Sequence, residues 1–113
     1  MADGQKQLPR AAEAAELKRL RRRINALDRR IVALLNERAE LGREVGRAKT
    51  ATGRRSVRDL GREREVLLRV TMSNGGPLPQ ADLLAIYRRL MGATRRIEAD
   101  DRRGRSDTPS RDD

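Results

Sequence analysis

The sequence contains no cysteine and no histidine. These absences remove disulfides, thiolate metal sites, the usual zinc ligand, the commonest general base and every Cys/His nucleophile arrangement. A reducing compartment is compatible with this usage. Tryptophan and phenylalanine are also absent and there is a single tyrosine, so aromatic platforms for stacking nucleic-acid bases are missing and a lone monomer would have a thin core. Helices that pair with a second chain would supply the missing buried surface. The N-terminal stretch MADGQKQLPR lacks an apolar segment of the signal-peptide kind, and no run reaches the length of a membrane span. A soluble cytoplasmic protein is expected.

Charge and helical periodicity are what the chain does have. Its 113 residues suit one domain, with 39% charged and 36% apolar residues. Lysine and arginine number 27 against 17 acidic residues, a net charge of +10. Such an excess invites a nucleic-acid partner, but arginine is interleaved with Glu and Asp along every helix, and zinc-finger spacing and RNA-recognition signatures are missing. Nucleic acid is therefore disfavoured. Arg102, Arg103, Arg105 and Arg111 fall in a Ser, Asp, Gly and Pro tail, residues 102–113, expected to be disordered.

The pattern predicts an all-α domain of three helices over residues 11–101, preceded by a flexible segment 1–10, with no strand and no internal repeat. A very long first helix is expected from Ala11 or Glu13 to about Thr50, stopped by Gly53 and the turn Arg54-Arg55. The second should begin at Ser56, whose spacing to Asp59 fits a capping box, and run to the break Ser73-Asn74-Gly75-Gly76-Pro77. The third should start near Pro79 and place Leu83, Tyr87, Leu90, Met91, Thr94 and Ile97 on one face.

Helix one carries two heptad rows of apolar residues: Leu17, Ile24, Ile31 and Val45 in one, and Leu20, Leu27, Leu34, Leu41 and Ala48 in the other. Arg38 interrupts this stripe. A guanidinium in such a seam costs on the order of several kcal/mol unless an anion or a hydrogen-bonded partner meets it. Lys49 lies eleven residues on, within about 20° of Arg38 on the helix and roughly 16 Å along it, so their long side chains can share a pocket. Arg22 and Arg47 point to water on the same wheel. Arg21 is about 25 Å before Arg38, too far for one small ligand to touch both on a single helix. It is either a solvated member of the basic run Lys18 to Arg23 or part of an anion site in a partner subunit. Arg38, likewise, can serve an anion or an ion pair. Asp59, Arg62 and Glu63 share a face at i, i+3 and i+4, which suits either a capped helix start with a surface ion pair or a polar site. Glu98 reads as an exposed acid beside Arg95 and Arg96.

In this order and spacing the residues resemble the all-helical chorismate mutases. The resemblance covers about Leu17 to Glu98 and rests on four motifs. These are Leu20-Arg21-Arg22-Arg23-Ile24-Asn25-Ala26-Leu27-Asp28, Leu34-Leu35-Asn36-Glu37-Arg38, Val45-Gly46-Arg47-Ala48-Lys49 and Val57-Arg58-Asp59-Leu60-Gly61-Arg62-Glu63. It implies an intertwined homodimer with two sites that converts chorismate to prephenate without a cofactor, covalent intermediate or metal. Arg38 and the partner subunit's Arg21 would hold the substrate carboxylates. Lys49 would approach the ether oxygen and a carboxylate, Arg62 would support the pocket wall, and Asp59 and Glu63 would surround the ring hydroxyl. Thr94 would stand near a carboxylate. Glu98 would hydrogen-bond the ether oxygen, where many members carry glutamine and glutamate also occurs; glutamate can donate only when protonated.

That chemistry suits the composition. A pericyclic rearrangement needs no proton shuttle and no nucleophile. It needs a dicarboxylate held in its compact conformer and a cation at the oxygen that gains negative charge as its bond to carbon breaks. Isochorismate pyruvate-lyase and 4-amino-4-deoxychorismate mutase activities on the same scaffold remain alternatives, as does a basic helical dimer that binds nucleic acid or an acidic protein. A single activity is expected, since the chain ends soon after helix three.

Overall fold

The computed structural model describes residues 2–53 and 58–106, with side chains from Pro9 to Gly53 and from Arg58 to Arg105. Among the described residues there are three helices, α1 (Ala2–Ala51), α2 (Leu60–Ser73) and α3 (Gln80–Ser106). None is long and apolar enough to cross a membrane.

The three expected helices form, with boundaries that differ for identifiable reasons. Helix α1 starts at Ala2, earlier than the expected Ala11 or Glu13. Extending an existing helix costs little per residue and Ala, Gln and Lys are good formers, so the helix continues on the N-terminal side of Pro9, which lacks a backbone donor. The helix ends as expected. Thr52 N–H donates to the Ala48 carbonyl at 3.2 Å, Gly53 N–H to the Thr50 carbonyl at 3.0 Å, and Gly53 takes φ +77°, which an L side chain resists. Helix α2 is capped by Asp59 rather than Ser56: Asp59 Oδ1 accepts the Arg62 backbone N–H at 2.9 Å. Ser56 itself lies outside the described residues, as does Arg111. Helix α3 continues to Ser106, so Arg102, Arg103 and Arg105 are helical and not part of a disordered tail. Basic residues in a last turn offset the helix dipole there, and Arg103 pairs with Asp100 and Arg105 with Asp101.

The chain divides by its contacts into residues 1–37 and 38–113. In the first, α1 displays its heptad stripe to solvent: Leu17, Leu20, Ile24, Leu27, Ile31 and Leu34 are each 40–58% exposed.

In the second, the end of α1, all of α2 and all of α3 enclose a small core centred on Met91 and Thr94. Gly42 and Gly46, one turn apart, set how closely α1 meets α3. A Cβ built on Gly42 would overlap Thr94 Cγ2, and one on Gly46 would lie 3.3 Å from Glu98 Cγ. Arg47 is exposed, as expected, and also reaches α3, where Nε and Nη2 donate to the two oxygens of Asp101 at 3.1 and 3.0 Å. That guanidinium lowers the Asp101 pKa below the usual carboxylate range, with Arg105 and Arg43 adding to the effect and desolvation opposing it. Between α2 and α3, Asn74 organises the turn. Its Nδ2 donates to the Leu78 carbonyl at 3.1 Å and Gln80 Oε1 at 3.0 Å, while Oδ1 accepts Gly76 N–H at 3.0 Å.

Candidate active site

The three helices of residues 38–113 surround a cavity of about 540 Å³. From α1 it receives Arg38, Leu41, Gly42, Val45 and Lys49, residues that recur every three or four positions and so share a face. The start of α2 and the residues before it add Arg58, Asp59, Arg62, Glu63 and Val66. Met91, Thr94, Arg95, Glu98 and Arg102 come from α3. Six basic and three acidic side chains leave an excess of three positive charges around one space, which selects for a multiply charged anion. Leu41, Val45, Val66 and Met91 give it an apolar floor that lowers the local dielectric and strengthens those charges.

Every site residue expected from the sequence except Arg21 lines this cavity: Arg38, Lys49, Asp59, Arg62, Glu63, Thr94 and Glu98. Arg21 is exposed in residues 1–37 and does not line it. Arg58, Arg95 and Arg102 were not anticipated. Arg58 stands directly before Asp59, inside the motif already singled out. Arg102 follows Glu98 by one turn, the spacing that could have flagged it.

The polar groups divide into engaged and unengaged sets. Glu63 is fully engaged. Arg58 Nε donates to both its oxygens, at 3.2 and 3.0 Å, Arg58 Nη2 sits 3.0 Å from Oε2, and Arg95 Nη1 pairs with Oε1. The Arg58 hydrogen bonds hold its carboxyl below the usual range, with the charge of Arg95 helping and desolvation opposing. Asp59 spends Oδ1 on the α2 cap. Thr94 Oγ1 donates to the Leu90 carbonyl at 3.0 Å, and Arg62 pairs with Glu65 at 3.3 Å. Arg38 lies over the Tyr87 ring at 5.8 Å from its centroid. Among the described residues, the Lys49 ammonium and the Glu98 carboxylate have no hydrogen-bonded or ion-pair partner, and no acidic cluster is placed to hold a metal ion.

Residues 20–99 match the family described as chorismate mutase type II. The bifunctional chorismate mutase/prephenate dehydratase of Stutzerimonas stutzeri is 36% identical over 91 residues, covering 77% of this chain and 25% of that protein. The bifunctional chorismate mutase/prephenate dehydratase of Aquifex aeolicus is 37% identical over 87 residues, covering 74% of this chain and 24% of that one. The chain thus spans about a quarter of the length of these two relatives. Among solved structures, chorismate mutase form II from Thermus thermophilus superposes with a TM-score of 0.70 at 31% identity, over 74% of this chain and 94% of that chain. Form I of the same enzyme gives a TM-score of 0.66 at 32% identity, over 70% and 98% respectively. Sequence match and three-helix architecture lead to one assignment: the chain belongs to the chorismate mutase type II family.

Proposed function

We propose that this cavity binds chorismate and catalyses its rearrangement to prephenate. The observation that carries the reading is the meeting of α1 and α3 at the cavity, which brings Arg38, Lys49 and Glu98 to its wall and, among the described residues, leaves Lys49 and Glu98 without partners. An unpaired ammonium and carboxyl at the edge of an apolar floor are groups kept for a ligand. In the proposed complex Arg38 holds one substrate carboxylate. Lys49 meets the second and the ether oxygen, where negative charge grows in the transition state. Glu98 meets the same oxygen, and Arg62 steadies the carboxylate from α2. Asp59 retains Oδ2 for the ring hydroxyl while Oδ1 caps the helix, and Glu63 borders the same hydroxyl. Thr94 contributes packing beside a carboxylate, its hydroxyl hydrogen being committed to Leu90.

The site needs a second chain to be complete. Burying a leucine-sized side chain stabilises by about 1.5–3 kcal/mol. The half-exposed stripe of residues 17–34 leaves roughly half of that unrealised at each position. Summed over the stripe, this is comparable with the whole stability of an ordinary domain, about 5–15 kcal/mol. A homodimer that covers the stripe brings Arg21 of one chain to the cavity of the other, which its distance from Arg38 forbids within one chain.

Purified protein given chorismate tests the reading. Loss of the substrate's absorbance with prephenate as product is expected; pyruvate release would assign a lyase, and no turnover would return the chain to the class of binding proteins.

A further inference from the structure

From the contacts of Glu63, we infer that Arg95 is a specificity-determining residue: by pairing with Glu63 together with Arg58, it selects for a neutral hydrogen-bonding group, and against a cationic one, on the substrate ring near α2. The inference rests on the mutase reading above and extends it to substrate class.

Glu63 receives guanidinium groups from two sides. Arg58 comes from the segment leading into α2 and holds both carboxylate oxygens at 3.0–3.2 Å. Arg95 comes from α3 and pairs with Oε1. The two arginines and one carboxylate carry a local excess of one positive charge. Glu63 is largely covered, with 16% of its side chain exposed, whereas Arg95 is 38% and Arg58 56% exposed. The carboxylate is therefore the centre of the cluster and the guanidinium groups its outer faces. Its depressed pKa agrees with that geometry, because the Arg58 hydrogen bonds and the charge of Arg95 favour the ionised carboxylate.

For a ring substituent this has a clear consequence. A lone carboxylate would accept an ammonium more tightly than a hydroxyl, by a charge-assisted hydrogen bond. Here an ammonium beside Glu63 meets a carboxylate whose charge two guanidinium groups already offset, so repulsion from those two cations counters the gain. A hydroxyl loses nothing to that repulsion and can share a carboxylate oxygen with the guanidinium groups. Both arginines line the cavity, but they belong to different elements. Arg95 is on α3 beside Thr94, and removing it would leave the Arg58 hydrogen bonds and the Asp59 cap in place.

Competition between chorismate and 4-amino-4-deoxychorismate, which differ by hydroxyl against ammonium, reads this out. The ratio of kcat/KM for the amino to the hydroxy substrate is measured for the wild type, Arg95→Leu, Arg95→Lys and Arg96→Leu. Arg96, on the exposed side of α3, controls for loss of total charge. One uncompensated charge across a partly exposed wall is worth about tenfold. Arg95→Leu should therefore raise the ratio by about tenfold, while Arg95→Lys and Arg96→Leu stay near the wild-type ratio. Arg95→Gln provides the same loss of charge in a polar side chain and should follow Arg95→Leu, so a folding defect in one variant does not decide the outcome. A ratio unchanged in both uncharged variants, with chorismate still converted by the wild type, overturns the inference and leaves the mutase reading standing. Conversion of neither substrate by any of the proteins overturns both.

Discussion

Residues 9–37 and residues 38–105 have similar compositions, rich in arginine, leucine and glutamate, yet they use them differently. In the first stretch the apolar side chains stay exposed, and among the described residues Arg21 and Arg22 have no ion-pair partner. In the second, arginines reach across helices, Arg47 to Asp101 and Arg95 to Glu63, and Arg58 pairs with Glu63 from just before α2. Three helix segments there close on one cavity, and the acids that are paired hold the walls while, among the described residues, Lys49 and Glu98 remain unpaired. The comparison teaches that a basic helix acquires a function from what faces it. Arg47, Arg58 and Arg95 meet acids of their own chain, whereas the stripe of residues 17–34 stays half exposed.

The largest effects should come from the cations of the cavity. Arg38→Ala and Lys49→Ala should each lower kcat/KM for chorismate by at least about two orders of magnitude, and Arg22→Ala should change it little. Equal losses in all three variants would mean that general positive charge, not position, runs the site. Next comes the division of labour between the two regions. Arg21→Ala and Arg38→Ala chains, each nearly inactive alone, should recover activity when mixed and allowed to exchange, because one of the two sites in a mixed dimer then holds both arginines. A mixture as inactive as its parents, with exchange demonstrated by mass spectrometry, would confine the site to one chain.

A smaller effect should distinguish Glu98. Glu98→Ala should lower kcat/KM for chorismate, and Glu98→Gln, which keeps a hydrogen-bond donor at that position, should retain more of it. Equal losses in the two variants would take Glu98 out of the mechanism. For packing, Gly42→Ala should lower thermal stability because the new methyl overlaps Thr94 Cγ2. The strain, about 1–3 kcal/mol, exceeds or cancels the helix-propensity gain of about 1 kcal/mol. A methyl at Gly104 would meet nothing within 4 Å, so Gly104→Ala should keep the propensity gain, and opposite shifts in melting temperature are expected.

The smallest effect is acid sensitivity of the second region. Glu63 and Asp101 both have depressed pKa values in the folded chain, each caused first by an arginine hydrogen bond. Above the unfolded values, about 4.3 for Glu and 3.9 for Asp, both are ionised and their contribution is fully present. As pH falls through the lower folded values, the unfolded chain takes up protons first and the contribution is lost. Urea midpoints measured on the acid side should fall less steeply for Glu63→Gln and Asp101→Asn than for the wild type.

Much of the fold was legible because each helix writes its own signals. Gly53 ends α1 with a positive φ, the Ser73 to Pro77 break separates α2 from α3, and the heptad rows predict a long first helix. Boundaries failed where long-range or charge effects outweighed local cues. Ser56 and Asp59 both suit a cap, and the hydrogen bond to Arg62 N–H shows that Asp59 serves. The run after Asp101 looked like a tail, but Arg103 and Arg105 pair backward onto Asp100 and Asp101 and extend α3. Arg95 was hidden for a different reason. One arginine among many on a helix has no distinguishing spacing, and its partner Glu63 is thirty-two residues away.

Sequence alone determined which side chains share a helix face, because a period of 3.6 residues places Arg38, Leu41, Val45 and Lys49 together whatever surrounds them. It also narrowed the class of chemistry, since a chain without His or Cys lacks the commonest general base and every Cys/His nucleophile arrangement. Tertiary structure decided which cations meet which acids. That choice depends on how closely two helices approach, and the approach is set where Gly42 and Gly46 admit Thr94 and Glu98 of α3. Helix periodicity is local and can be counted along the chain, whereas the distance between helices is the joint outcome of many side-chain volumes and is carried by no single position.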